Sequence, residues 1–156
     1  MTTQNPENAV SEVEIRERID VLLTAIRTGD LDAVKTIFAP GVVSFDIEPP
    51  LRHLGAEKKW ANWERVFEVF ELPLDYETRD LTVLVDGDLA VVYALNHMNA
   101  GLNAAMSAAM GIGKIDYWLR WTAAWRKIDG QWMIVHDQVS VPTNFQDGTA
   151  AMDLMP

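Results

Sequence analysis

Hydrophobic positions follow two rhythms along the chain, a step of three to four residues in the first half and a step of two in the second. Val13, Ile15, Ile19, Leu22, Leu23 and Ile26 recur at helical spacing, and Ser11 with Glu14 spells a capping box. The pattern predicts a first helix over residues 11 to about 29. Asp30 is placed to cap a second, shorter helix whose Leu31, Val34, Ile37 and Phe38 lie mostly on one side, until Pro40-Gly41 stops it. Residues 42–47, V-V-S-F-D-I, read as a short strand running into a loop that carries Pro49-Pro50 and His53. Gly55 opens a third helix to about Phe70, with Trp60, Trp63, Phe67 and Phe70 at steps of three and four, and Pro73 closes it.

From there the period shortens. Residues 74–85 and 89–99 flank Asp86-Gly87-Asp88, and residues 117–128 and 132–141 flank Asp129-Gly130-Gln131, which predicts two β-hairpins. Helices followed by hairpins make a segregated α+β chain. Between the hairpins, residues 101–113 are small and Met-rich with Gly at both ends, too long for a tight turn. They read as a short helix, a flap, or a loop packed on the sheet edge or at a subunit contact. Residues 1–10 are polar and read as a flexible lead-in to a single domain over 11–156.

At 156 residues the chain suits one domain with its own core, and six Trp are more than such a core requires. With no Cys, disulfides, thiolate metal sites and Cys nucleophiles are excluded. The net charge of −10, with scattered Lys and Arg, argues against nucleic acid and anionic membrane surfaces as partners. No stretch approaches the length of a membrane span and the start does not resemble a secretory leader, so a cytoplasmic location is expected.

Three stretches carry a resemblance. A helix leads into T-G-D-L-D-A-V-K-T-I-F-A-P-G-V-V-S-F-D, then P-L-R-H-L-G and a further helix, and the chain closes with W-R-K-I-D-G-Q-W-M-I-V-H-D-Q-V-S-V-P at 125–142. In this order they resemble the nuclear transport factor 2-like superfamily, and within it the SnoaL-like and ketosteroid isomerase-like branch. The resemblance implies a cone-shaped barrel of the cystatin-like kind, with N-terminal helices packed on a strongly curved antiparallel sheet. It also implies a cavity between the two layers and a homodimer formed through the sheet. It does not imply a reaction, because isomerases, dehydratases, cyclases, epoxide hydrolases and non-catalytic proteins share the fold.

By the same resemblance Asp46 falls where ketosteroid isomerases carry their general base. A carboxyl facing an apolar cavity holds its proton more tightly, which suits it to moving protons between carbons. The alternative is a carboxylate held by a neighbouring cation or capping the Pro-Pro turn. The isomerase oxyanion hole is not reproduced, since Leu22 and Trp121 stand near its two positions. A steroid-type enol mechanism is therefore not expected.

His136 alternates with Trp132, Ile134, Gln138 and Ser140 on one strand face, and is either an acid–base group near the cavity wall or a histidine hydrogen-bonded in the core. Arg120, among apolar neighbours, needs an anionic partner, either Asp46, a ligand carboxylate or a structural acid. His97 shares a face with Tyr93 and Leu95, opposite Asn96 and Met98, and only one of those faces can line a cavity. His53 is a loop histidine near a possible entrance, and Trp60, Trp63 and Trp121 are either flat ligand-facing wall or plain core. His53, His97, His136 and Asp46 lack the local spacing of a metal site, and there is no phosphate loop or nucleophile elbow, so neither metal nor cofactor is expected.

Two functions fit. One is a cofactor-free isomerase, dehydratase or cyclase acting on a small hydrophobic molecule, with Asp46 as base assisted by His136 or Arg120. The other is a non-catalytic ligand-binding or oligomerisation module.

Overall fold

The computed structural model describes residues 5–156. Helix α1 runs over Pro6–Thr28, starting five residues before the pattern predicts. The Asn5 side chain accepts the Glu7 N–H, and Pro6 stands in the first turn where its missing N–H costs nothing. Ser11 is instead buried inside the helix, and Glu14 turns away to Lys127 (2.8 Å) and the Trp132 indole N–H (3.0 Å). Residues 6–10 of the expected lead-in are thus helical, and residues 1–4 lie outside the described part. Ile15, Ile19, Leu22, Leu23 and Ile26 form the buried stripe, and Gly29 ends the helix at φ 73°.

Helix α2 (Leu31–Lys35) is capped by Asp30, which accepts the Ala33 N–H. It stops earlier than predicted, because Ile37 and Phe38 already turn into strand β1 (Phe38–Phe45). The remaining elements are β2 (His53–Leu54), α3 (Ala56–Val69), β3 (Asp75–Asp86), β4 (Leu89–Gly101), α4 (Ala104–Met110), β5 (Lys114–Ile128) and β6 (Gln131–Ser140). Both predicted hairpins are present. At the second, Asp129 (φ 50°) and Gly130 (φ 79°) supply the two left-handed residues a tight hairpin turn demands. The small, Met-rich segment is the short helix α4, capped by the Asn103 side chain.

The α+β architecture is a six-stranded sheet in the order β2-β1-β6-β5-β4-β3, with the helices on its inner face. Neighbours pair antiparallel except β1 and β6, which run parallel. The sheet is open, with β2 and β3 as its edges. Trp125, Ala123, Val92, Ile134 and Ile37 are wholly or almost wholly out of solvent beneath α1 and α2. Burying each such aliphatic side chain contributes roughly 1.5–3 kcal/mol.

One irregularity decides which residues face inward. Along the β5–β6 ladder Ala124 pairs with His136 but Trp125 pairs with Ile134, so Val135 is an extra residue. A bulge of this kind reverses the alternation. Trp132 and Ile134 face the core before it, and Asp137 and Val139 face inward after it.

Candidate functional site

Between α1, α3 and the inner face of the sheet lies a cavity of about 110 Å³. A single water requires roughly 10–15 Å³ of such space, so there is room for a small organic molecule. Its walls are mostly apolar and aromatic, with Leu22, Phe38, Trp63, Phe70, Leu119 and Trp121 among them.

The polar part is concentrated at the ends of β1 and β6 and on the inward face of α3. Lys59, Asn62 and Val66 project from α3 at helical spacing towards Ser44, Asp46 and Asp137. Ser44 and Asp137 are paired in register across the parallel β1–β6 ladder, and Asp46 follows Ser44 by two residues on the same side. The Lys59 ammonium lies 3.0 Å from Asp137 Oδ2, 3.3 Å from Asp46 Oδ2 and 3.0 Å from Ser44 Oγ. Its three N–H groups are thereby all used.

Burial alone would lower the proton affinity of Lys59. The neighbouring Asp137 and Asp46 outweigh it, and the lysine titrates above the ordinary range. It is therefore a fixed ammonium ion and not an amine nucleophile. Asp46 also accepts from the Asn62 side-chain amide (2.9 Å) and from the Ile47 N–H (2.9 Å). Asp137 differs: it is 2 % exposed, and its Oδ1 accepts no hydrogen bond from any described residue.

Two phenols complete the lining. Burial pushes the Tyr76 hydroxyl far above its usual value, against a lowering hydrogen bond with Asn96. Tyr117 is pushed up to about 12, by burial first and then by Glu48 and Asp46. Both stay protonated at neutral pH and remain hydrogen-bond donors.

The predicted residues divide cleanly. Asp46, Trp63 and Trp121 line the cavity, as does Leu22. The bulge at Val135 turns His136 and Gln138 away; His136 is half-buried, its Nδ1 lies 2.7 Å from the Val43 carbonyl oxygen, and its ring meets Phe45 edge-on. Arg120 is exposed on the outer face of β5, because Leu119 and Trp121 take the inner one. It meets neither Asp46 nor the cavity. His97 also lies outward, stacked on Trp118 at 4.7 Å with Nε2 2.8 Å from Asp116, while Asn96 and Met98 face inward. His53 is not a mobile loop residue: it is buried in β2, opposite Ser44 in the β1–β2 ladder, and does not line the cavity. Trp60 packs beside α2 under Lys35 and is not on the cavity wall. Among the described residues no three His, Asp or Glu converge as metal ligands.

Lys59, Asn62, Tyr76, Asn96, Tyr117 and Asp137 are the site residues that the sequence pattern does not single out. For Lys59 and Asn62 a signal exists, since they continue the inward stripe of α3 that ends in Val66 and Phe70.

Helices over one face of a sheet, with a cavity between the layers, is the arrangement the three family-like stretches imply, although the sheet is open and its β1–β6 pair is parallel where an antiparallel barrel is expected. The SnoaL-like domain model matches residues 15–144. The chain belongs to the SnoaL-like family. Solved structures place this SnoaL-like domain in the nuclear transport factor 2-like, cystatin-like group. An NTF2-like protein of unknown function from Pseudomonas putida superposes with a TM-score of 0.80 at 29 % identity, over 95 % of this chain and 98 % of its own. A nuclear transport factor 2-like superfamily protein from Salmonella enterica does so at 0.75 and 21 % identity, over 91 % and 98 % of the two chains. A ketosteroid isomerase-like protein from Erwinia carotovora follows at 0.67 and 21 % identity, over 87 % and 96 %. No curated protein matches the chain in sequence. Among the described residues no helix is long and apolar enough to cross a membrane.

Proposed function

We propose that this SnoaL-like domain binds a small, mainly apolar organic molecule in the cavity and moves a proton on it with its own side chains. The observation that carries this reading is the Asp137 carboxyl group. One oxygen is fixed by Lys59, and the other, in this residue of the cavity wall, is buried and accepts no hydrogen bond from any described residue. A buried acceptor left unpaired is costly, by about 1–3 kcal/mol, unless something in the site meets it. A general base needs an acceptor that the protein does not already use, and Asp137 is the acid of the wall that keeps one.

The base role thereby moves from Asp46 to its neighbour. Both oxygens of Asp46 already accept hydrogen bonds, and its part is to hold Lys59 and Asn62 in place. Tyr76 and Tyr117 are the donors available to an oxygen on the ligand. Their positions on β3 and β5 differ from the oxyanion hole of ketosteroid isomerases, whose places are held here by Leu22 and Trp121. The reading is therefore proton transfer of the isomerase or lyase kind, without a steroid-type enol site.

We further propose a homodimer packed through the outer face of the sheet. Leu84, Leu89, Val91 and Tyr93 are all substantially exposed there, and light scattering on the eluting protein gives the mass directly.

The function is tested by thermal-shift screening of neutral and charged apolar molecules, followed by turnover of any that bind. Hits that raise the melting temperature of the wild type, and lose that effect when Val66→Trp fills the cavity, support the site. Hits that bind without being altered leave a binding module in place of an enzyme.

A further inference from the structure

We propose that the occupant of this cavity is an apolar amine, held as its ammonium ion with the Asp137 carboxylate as its counter-charge. The inference rests on the cavity being the ligand site, as proposed above, and names the chemistry of the ligand.

Charge matching leads to it. Two carboxylates, Asp46 and Asp137, share one ammonium, Lys59, so the innermost cluster counted as ionised is one positive charge short. The third acid of the wall, Glu48, does not add to the deficit because Arg65 pairs with it at 2.7 Å near the surface. Charges buried to this degree are normally matched, and a ligand cation supplies the missing one.

The hydrogen-bond inventory agrees. Every N–H of Lys59 is taken by Ser44, Asp46 or Asp137, so the lysine offers nothing to a ligand carboxylate. Arg120, the cation expected to meet such a carboxylate, is on the other side of the sheet. The unpartnered atom, Asp137 Oδ1, can only accept.

The walls point the same way. Lys59 Nζ already sits 5.7 Å from the Phe38 ring centroid and 5.9 Å from that of Trp63, so these rings face a cation in the protein itself. Trp121, Tyr76 and Phe70 add further aromatic surface around the void. At longer range the net charge of −10 draws cations in and repels anions.

Three probes of nearly one shape test the proposal by calorimetry on the full chain at neutral pH: benzylammonium, benzyl alcohol and benzoate. The expected order is benzylammonium tighter than benzyl alcohol by about tenfold or more, with benzoate weakest. Asp137→Asn should bring benzylammonium down to the level of benzyl alcohol in the same variant. The ranking needs only the wild type, so it decides the matter even where that variant does not fold. Equal or tighter binding of the alcohol or of benzoate, or no binding of any of the three, overturns the amine. Binding of the alcohol that disappears in Val66→Trp, with no preference for the ammonium, overturns the amine alone and keeps the cavity as the site. Ammonium binding that survives Val66→Trp lies elsewhere and overturns both readings.

Discussion

Lys59 Nζ and Asp137 Oδ2 meet at 3.0 Å with side-chain exposures of 2 % and 3 %, joining the first turn of α3 to the latter part of β6. Removing one partner of such a pair costs far more than the pair contributes, because the other charge stays buried alone. Lys59→Met should therefore destabilise the fold by about 3–5 kcal/mol in urea unfolding. Adding Asp137→Leu and Asp46→Asn to it should recover most of the loss. A single Lys59→Met variant of wild-type stability would show that the cluster is solvated and not buried.

For catalysis the two acids should separate. Asp137→Asn removes the free acceptor and should lower kcat about 10²–10⁴-fold, the usual contribution of a positioned base. Asp46→Asn keeps an amide oxygen for only one of the Ile47 and Asn62 donors, which go to different carboxylate oxygens, and should lower kcat by a smaller factor. Steady-state turnover of a screened substrate ranks the two, and a larger loss at Asp46 would return the base role to it.

Alkaline pH should loosen the domain in a defined window. Tyr117 ionises near pH 10.0 in the unfolded chain and at about 12 in the fold. A raised folded value gives stability that is complete below pH 10.0 and lost as the pH climbs through about 12. Lys59 has the same sign, beginning from its ordinary 10.5. The melting temperature should fall above pH 10.0, and Tyr117→Phe should remove part of that slope. A curve of unchanged steepness in the variant would count against burial of the phenol.

Arg120→Ala, His97→Ala and Gln138→Ala should each leave the affinity for a cavity ligand unchanged within about twofold, since surface changes distant from a site rarely exceed ±0.5 kcal/mol. Any of them weakening binding tenfold would mean that the outer face of the sheet reaches the site.

Periodicity made the architecture legible. The stripe from Ile15 to Ile26, the Asp30 cap and both Asp-Gly turns are local signals, and each element appears where they stand. Asp46 is placed by the family resemblance, and Trp63 and Trp121, open in sequence to either wall or core, line the cavity. The polar cluster was not, because its members meet only through tertiary contacts. Lys59 continues the inward stripe of α3, but the acid that holds it comes from a strand nearly eighty residues later. His136 and Gln138 were assigned to the inner face by strict alternation, which the extra Val135 breaks. Arg120 needs no buried anionic partner, because Leu119 and Trp121 take the inner face of β5 and leave it exposed.

Val135 also bears on how related chains should be compared. One added position in the last strand decides whether an imidazole or a carboxyl group is presented to the interior. Two homologues with the same H-D letters but different strand lengths would expose opposite chemistries to their ligands. Spacing from the Trp132–Ile134 anchor, and not the motif itself, is the character that sorts such proteins by what they can bind.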